Sequence, residues 1–164
     1  MNTVFLGALT TKLNMPKKED DKKQEMEVVK SGLLTILIGK GDQIYHYEGE
    51  LDAGGANFMT DTYPSPSNPG IRKVIQDKKA QVVAAHVHNE ACKKIWEKNN
   101  GDQNSCLDRD LVVVIKPNPE ANYGRTVDIL DEMTINKVER YAVIDITPEE
   151  NTVLGLAAQR NPGK

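Results

Sequence analysis

The stretch that decides the fold reads LVVVIK at residues 111–116, NYGRTVDILDEMTIN at residues 122–136 and YAVIDI at residues 141–146. The two flanking pieces are continuous apolar runs rich in β-branched residues, which are typical of strands buried on both faces of a sheet. Pro117 and Pro119 mark a turn after the first run. Strand, helix and strand in this order form a βαβ unit, so we expect two parallel neighbouring strands joined by a right-handed crossover.

The middle segment has the periodicity of an amphipathic helix. Its apolar side chains recur about one helical turn apart, at Tyr123, Val127, Leu130 and Met133 or Thr134. We interpret Asp128, Asp131 and Glu132 as the solvent-facing side of this helix rather than as a catalytic acid pair.

A β-hairpin is predicted earlier in the chain. LLTILI at residues 33–38 and QIYHYE at residues 43–48 flank the turn GKGD. Tyr45 and Tyr47 lie on one face of the second strand, opposite Ile44 and His46. Together, the hairpin and the βαβ unit predict an α/β (α+β) domain, a small mixed sheet of about four to five strands with helices packed on one face.

Two further helices are indicated by their start signals. Pro69, preceded by Ser67 and Asn68, predicts a helix that carries an apolar face from residue 71 onwards. TPEE at residues 147–150 has the form of a capping box and predicts a short C-terminal helix. Residues 49–68 are rich in Gly, Pro, Asp and Asn, and we expect them to form a long loop.

The βαβ region also resembles a known family. The residues concerned are Lys116-Pro117, Tyr123-Gly124, VDILDEM at residues 127–133 and YAVIDI at residues 141–146. They resemble the C-terminal half of the periplasmic domain of ExbD/TolR-type biopolymer transport proteins, in particular the Bacteroidetes-type members. A shorter Leu/Pro motif at Leu13, Met15 and Pro16 is similar to the one that follows the membrane anchor in ExbD-type proteins.

The resemblance implies a non-enzymatic function. An ExbD-type protein works with an ExbB-like inner-membrane channel protein, and it couples the proton gradient to a TonB-like protein that drives import across the outer membrane. The domain is then expected to be a homodimer in the periplasm of a Gram-negative bacterium. It is held at the inner membrane by an N-terminal anchor that we do not find in this sequence, because no run of about 20 apolar residues occurs. No cofactor is expected.

The resemblance also implies how the chain is organised. Residues 1–27 are expected to be a membrane-proximal remnant followed by a flexible linker, because residues 17–30 are dense in charge of both signs. Residues 28–150 are expected to form the ExbD/TolR-like domain. This domain departs from the family pattern by an insertion at about residues 84–108, and residues 151–164 are interpreted as a C-terminal tail.

Partner binding is assigned to an edge of the sheet, because an open edge can add a strand from another protein. We assign this role to the last strand of the βαβ unit, with Tyr141, Val143 and Asp145, and to the N-terminal Leu/Pro motif. In an edge strand, Asp145 would discourage unwanted pairing. The alternative is a central strand, with Asp145 near the end of the sheet or satisfied by a neighbouring residue.

The insertion contains both cysteines of the chain, Cys92 and Cys106. In an oxidising compartment such a pair predicts a disulfide, which we favour because the resembling domains are periplasmic. The alternative is a metal site that adds His86 and His88. We assign no metal there, because the spacing matches no standard zinc pattern and the two histidines would point apart on a helix.

Composition and missing motifs argue against several other functions. The net charge of −3 argues against a nucleic-acid-binding surface. The sequence lacks a nucleophile elbow, a His-Glu-x-x-His motif and a glycine-rich dinucleotide turn, so no enzyme class is indicated. The alternatives left open are a TolR-type protein that serves envelope integrity, a small periplasmic metal- or ligand-binding module, and an unrecognised enzyme.

The composition of the predicted linker leads to a first testable prediction. Amide hydrogens at residues 17–24 should exchange with solvent almost without protection, because this segment has too little apolar surface to order itself. Hydrogen-exchange mass spectrometry of the full chain measures this directly. Slow exchange there would show that the segment is ordered, for instance by pairing with a second copy of the chain.

Overall fold

A computed structural model describes residues 30–160 and the two-residue strand Val4–Phe5. The strands are β1 (Val4–Phe5), β2 (Leu33–Ile38), β3 (Ile44–Glu48), β4 (Met59–Asp61), β5 (Val112–Pro117) and β6 (Tyr141–Val143). The helices are α1 (Ile71–Ala84), α2 (Glu90–Lys98), α3 (Tyr123–Ile135) and α4 (Pro148–Arg160). The predicted linker and the Leu/Pro motif at Leu13, Met15 and Pro16 lie outside the described residues.

All strands belong to one mixed sheet with the order β1-β6-β5-β2-β3-β4. β2 and β3 form the predicted antiparallel hairpin, and β5 and β6 are the predicted parallel neighbours on either side of α3. β2 also pairs in parallel with β5, which joins the hairpin to the βαβ unit. The predicted α/β class with a small mixed sheet is therefore confirmed. Among the described residues, no helix combines the length and the hydropathy needed to cross a membrane.

The sheet buries side chains on both faces. One core cluster contains alternate residues of β2 and β5, and α1 and α3 cover it through Ile75 and Ile129. The other contains Leu37, Tyr45 and Tyr47, and α4 covers it through Leu154. The predicted placement of helices on one face thus holds for α1 and α3, whereas α4 lies on the opposite face. Residues 151–160, which we assigned to a tail outside the domain, belong to this helix, which starts at the capping box as predicted.

The apolar face predicted for α3 is only partly correct, since Met133 is buried and Leu130 packs against the core, but Tyr123 and Val127 are exposed. Its buried residues are Thr126, Ile129, Glu132 and Met133, whereas Tyr123 is 78% exposed. The helix is rotated because Glu132, which we expected to face solvent, accepts two hydrogen bonds from Arg72 of α1, at 2.7 and 2.8 Å. A charged residue can occupy such a buried position when its partner is fixed opposite.

Two element boundaries differ from prediction for identifiable reasons. α1 begins two residues after Pro69, because Gly70 has a positive φ of 53° and approaches β4 so closely that a Cβ would lie 2.2 Å from the Thr62 carbonyl oxygen. β6 ends at Val143 rather than at residue 146. After this point the chain turns toward the second core cluster, where Ile146 packs and α4 begins.

The capping box at the start of α4 forms as predicted and ties the helix to the sheet. The Glu150 backbone N–H donates to Thr147 Oγ1, and Glu150 Oε1 accepts from the Thr147 backbone N–H at 2.9 Å. The same carboxylate accepts from Lys116 Nζ of β5 at 2.8 Å and from the Tyr47 hydroxyl of β3 at 2.6 Å. Glu150 is only 2% exposed. One buried carboxylate therefore joins α4, β3 and β5.

The ionisation of Glu150 makes stability depend on pH. Burial raises the pKa of this carboxyl, but the hydrogen bonds from Lys116, Tyr47 and Thr147 together outweigh burial, and the net pKa is below its usual value. Because the folded-state pKa is depressed, this stabilisation is complete above the unfolded glutamate pKa of about 4.3 and is lost as the pH falls through the folded value.

We predict that Glu150→Gln lowers the free energy of unfolding by about 3 kcal/mol at neutral pH, because it leaves Lys116 buried beside a neutral partner. Urea unfolding measured by circular dichroism tests this. The difference from the unmodified chain should shrink below about pH 4, where Glu150 itself becomes protonated. Glu149→Gln is the matched control, since Glu149 is the exposed neighbour on the same helix turn. Equal effects of both substitutions would contradict this account.

Candidate functional site

The residues singled out by the sequence lie in two separate places, the β6 edge of the sheet and the insertion between α1 and β5. Tyr141 and Val143 are in β6, and Asp145 is an exposed residue after the strand ends. Both cysteines and two of the three histidines lie between residues 86 and 106.

The β6 strand is the last of the five strands that the chain forms after residue 30, and its outer side carries an added strand. β1 pairs with it antiparallel, with Val4 opposite Val143 and Phe5 opposite Ala142. Tyr141 and Val143 pack against the first core cluster, so their side chains serve the domain's own core. The hydrogen-bonding groups on the outer side of β6 belong to its main chain, and β1 already pairs with them.

The insertion consists of an irregular segment, α2 and a short 3-10 helix. Residues 85–89 leave the end of α1, and Asn89 caps α2 by accepting from the backbone N–H groups of Ala91 and Cys92 at 3.0 and 3.4 Å. Asn100 and Gly101, both with positive φ, follow the end of α2. The 3-10 helix Gln103–Cys106 then returns the chain toward β5.

Four side chains of the insertion converge on one point: His86, His88, Cys92 and Cys106. One nitrogen or sulfur atom from each lies within 4.8 Å of the others. His86 Nε2 is 3.3 Å from Cys92 Sγ and 3.4 Å from Cys106 Sγ. The His86 and His88 rings are in edge contact, with centroids 4.8 Å apart.

The local backbone explains why the two histidines point the same way. α1 ends at Ala84, so residues 86–88 are not helical. In an extended segment, side chains two positions apart lie on one side, whereas on a helix they would diverge. The sequence analysis assumed the helical geometry and therefore placed the histidines apart. The break after residue 84 could have been suspected from the His-x-His alternation itself.

The surroundings of the cluster set the protonation of its members. Both cysteines are fully buried, His86 is half-buried and His88 is exposed. Burial lowers the pKa of His86, and the charges of Arg109 and His88 lower it further, which favours the neutral imidazole. Burial and the neighbouring Cys92 raise the pKa of the Cys106 thiol, and the hydrogen bond from Trp96 opposes this. Trp96 Nε1 donates to Cys106 Sγ at 3.2 Å.

The predicted disulfide is not formed in the structure, where Cys92 and Cys106 are both free. Each sulfur atom contacts His86 Nε2, and the two thiols also interact with each other. Thiolates and neutral imidazoles are the protein groups that bind soft and borderline divalent metals.

No protein-family model, curated protein or solved structure matches this chain. The resemblance to ExbD/TolR-type proteins therefore rests on the residues quoted above.

The cap of α2 leads to a prediction for the insertion. Asn89→Ala should reduce the local stability of α2 by about 1 kcal/mol, because it removes the cap acceptor. The same oxygen also accepts from Arg109 Nη1 at 3.0 Å, which ties α2 to the segment before β5. Hydrogen exchange should become faster in residues 90–98 and stay unchanged in β2 and β5. Asn104→Ala, at an exposed position without such a contact, is the control, and equal acceleration by both would contradict this role of Asn89.

Proposed function

We propose that this chain is the periplasmic domain of an ExbD-type component of a proton-motive-force-driven energy-transduction system. In this role it catalyses no reaction. It acts as a homodimer beside an ExbB-like inner-membrane channel protein, to which an N-terminal anchor tethers it. It binds an extended segment of a TonB-like protein, which powers import across the outer membrane.

The observation that carries this proposal is the added strand at β6. β1 contributes only two residues, and it shows that the outer edge of β6 accepts an extended, antiparallel segment. Strand addition of this kind gives affinity through main-chain hydrogen bonds and depends little on the bound sequence. This binding mode suits a domain that must hold its partner against a pulling force, because the force is shared among several main-chain hydrogen bonds.

The placement of the resembling residues supports the same proposal. Lys116 and Pro117 end β5, Tyr123 and Gly124 begin α3, and YAV of the last motif forms β6. The residues quoted for the βαβ region thus belong to one contiguous unit, and its last strand, β6, pairs on its outer side with β1. Tyr123 has no part in the core of the domain, so its contribution to the motif is not explained by packing.

The proposed binding edge can be tested with a peptide. An extended peptide from a TonB-like partner should shift the backbone amide resonances of residues 141–143 more than any others. Deleting residues 1–9 should strengthen the binding, because β1 then no longer competes for the same edge from within the chain. Two-dimensional amide NMR titrations of both chains measure the site and the affinity.

A peptide of the same sequence with alternate residues replaced by proline is the control, since proline has no N–H to donate. It should not bind either chain. Two results would contradict β6 as the binding strand. The largest chemical-shift changes could fall on β2 or in the insertion, or the deletion could leave the affinity unchanged.

A further inference from the structure

We propose that His86, His88, Cys92 and Cys106 form a structural zinc site that holds the insertion together. The site is separate from the β6 edge, and the proposal does not depend on the function proposed above. The bound ion would be Zn²⁺. The two thiolates and two imidazoles would be all of its ligands.

The geometry of the cluster is close to that of a zinc tetrahedron. Zinc binds cysteine sulfur at about 2.3 Å and histidine nitrogen at about 2.0–2.1 Å, so neighbouring ligand atoms in a tetrahedron lie roughly 3.3–3.8 Å apart. The contacts from His86 Nε2 to the two sulfur atoms, 3.3 and 3.4 Å, are near this range. The full set lies within 4.8 Å, so closing around an ion needs only side-chain adjustment.

The packing of the insertion gives an independent argument. Within residues 85–110 the only buried side chains are Cys92 and Cys106. Neither hydrophobic core cluster receives a residue from this stretch. A nine-residue helix with one buried side chain has little to hold it in place. Small lobes that lack an apolar interior are commonly stabilised by a metal ion, whose binding energy becomes folding energy.

The neighbouring groups suit two thiolates. Trp96 Nε1–H donates to Cys106 Sγ, which is the kind of outer hydrogen bond that orients a metal ligand. Cys92 lies in the first turn of α2, where the positive end of the helix dipole stabilises a negatively charged sulfur. A divalent cation between the two sulfur atoms favours their deprotonated form, since a coordinating thiol is deprotonated by the metal.

The ligand types and the exposure of His88 favour zinc and leave the ion a route from solvent. Two sulfur and two nitrogen ligands in a tetrahedron are typical of zinc, whereas carboxylate-rich sites suit magnesium or calcium. No water position is required, since four protein ligands close the coordination sphere, as they do in structural sites. His88 packs against Trp96 in a tilted arrangement, with ring centroids 5.0 Å apart.

Zinc content of the full chain, purified without a histidine tag, tests the proposal. After incubation with zinc and gel filtration, elemental analysis should find about one zinc ion per chain, since the four ligands form one closed site. Cobalt should bind in its place and show thiolate charge-transfer absorption together with the visible bands of tetrahedral Co²⁺. Removing the metal with a chelator should accelerate hydrogen exchange in residues 90–106 and leave β2 and β5 unchanged.

Single substitutions then assign the ligands. Cys92→Ser, Cys106→Ser, His86→Ala and His88→Ala should each weaken zinc binding by at least about tenfold, since changes even to outer-shell partners cost this much. His46→Ala is the matched control, because His46 is the remaining histidine and lies in β3, paired with Asp61. It should bind zinc normally. Circular dichroism of each variant checks that the sheet remains folded.

Three results would overturn the proposal. The first is elemental analysis that finds almost no zinc on protein in which both thiols are free. The second is a Cys92–Cys106 disulfide without zinc in protein recovered from the periplasm, seen as absent thiols on titration under denaturing, non-reducing conditions. The third is zinc binding that His46→Ala weakens as much as the four ligand substitutions do.

Discussion

The parallel pairing of β2 with β5 is the constraint on which the rest of this structure depends. The two strands lie side by side from Leu33 opposite Val112 to Ile38 opposite Pro117. Because both are in the middle of the sheet, the apolar side chains on both of their faces must be covered. α1 and α3 cover one face and α4 covers the other. The position of the C-terminal helix is therefore a consequence of how the two central strands meet.

Buried charges attach the covering helices to this sheet. Glu150 joins α4 to Lys116 and Tyr47, and Glu132 joins α3 to Arg72 on α1. Each carboxylate is nearly inaccessible and is matched by a cation and further hydrogen bonds, so neither is left as an uncompensated buried charge. Such pairs fix the rotation and register of a helix more sharply than apolar contacts, which tolerate small shifts.

Two regions lie outside this central part of the described structure. Neither core cluster includes a residue of the insertion between α1 and β5. Its interior is instead a cluster of thiols and imidazoles. On the other side of the βαβ unit, the outer main chain of β6 pairs with β1, which is the last strand of the sheet. The proposed metal site and the proposed partner edge thus lie on different elements and can be studied independently.

The sequence by itself determined the hairpin β2–β3, the parallel βαβ unit and the starts of α1 and α4, because continuous β-branched runs, helical periodicity and the capping box at residues 147–150 are local signals. It did not show β4, which lies in the stretch predicted as a loop. It named the four histidines and cysteines of the cluster but assigned no metal to them. Only the tertiary structure decided which face of α3 is buried, that α4 covers the second face of the sheet, and that His86 and His88 point the same way. These features depend on partners distant in the sequence, such as Arg72 for Glu132 and Tyr47 for Glu150. A local pattern cannot show that a charge will meet its counter-charge, nor that a helix ends two residues before a histidine pair.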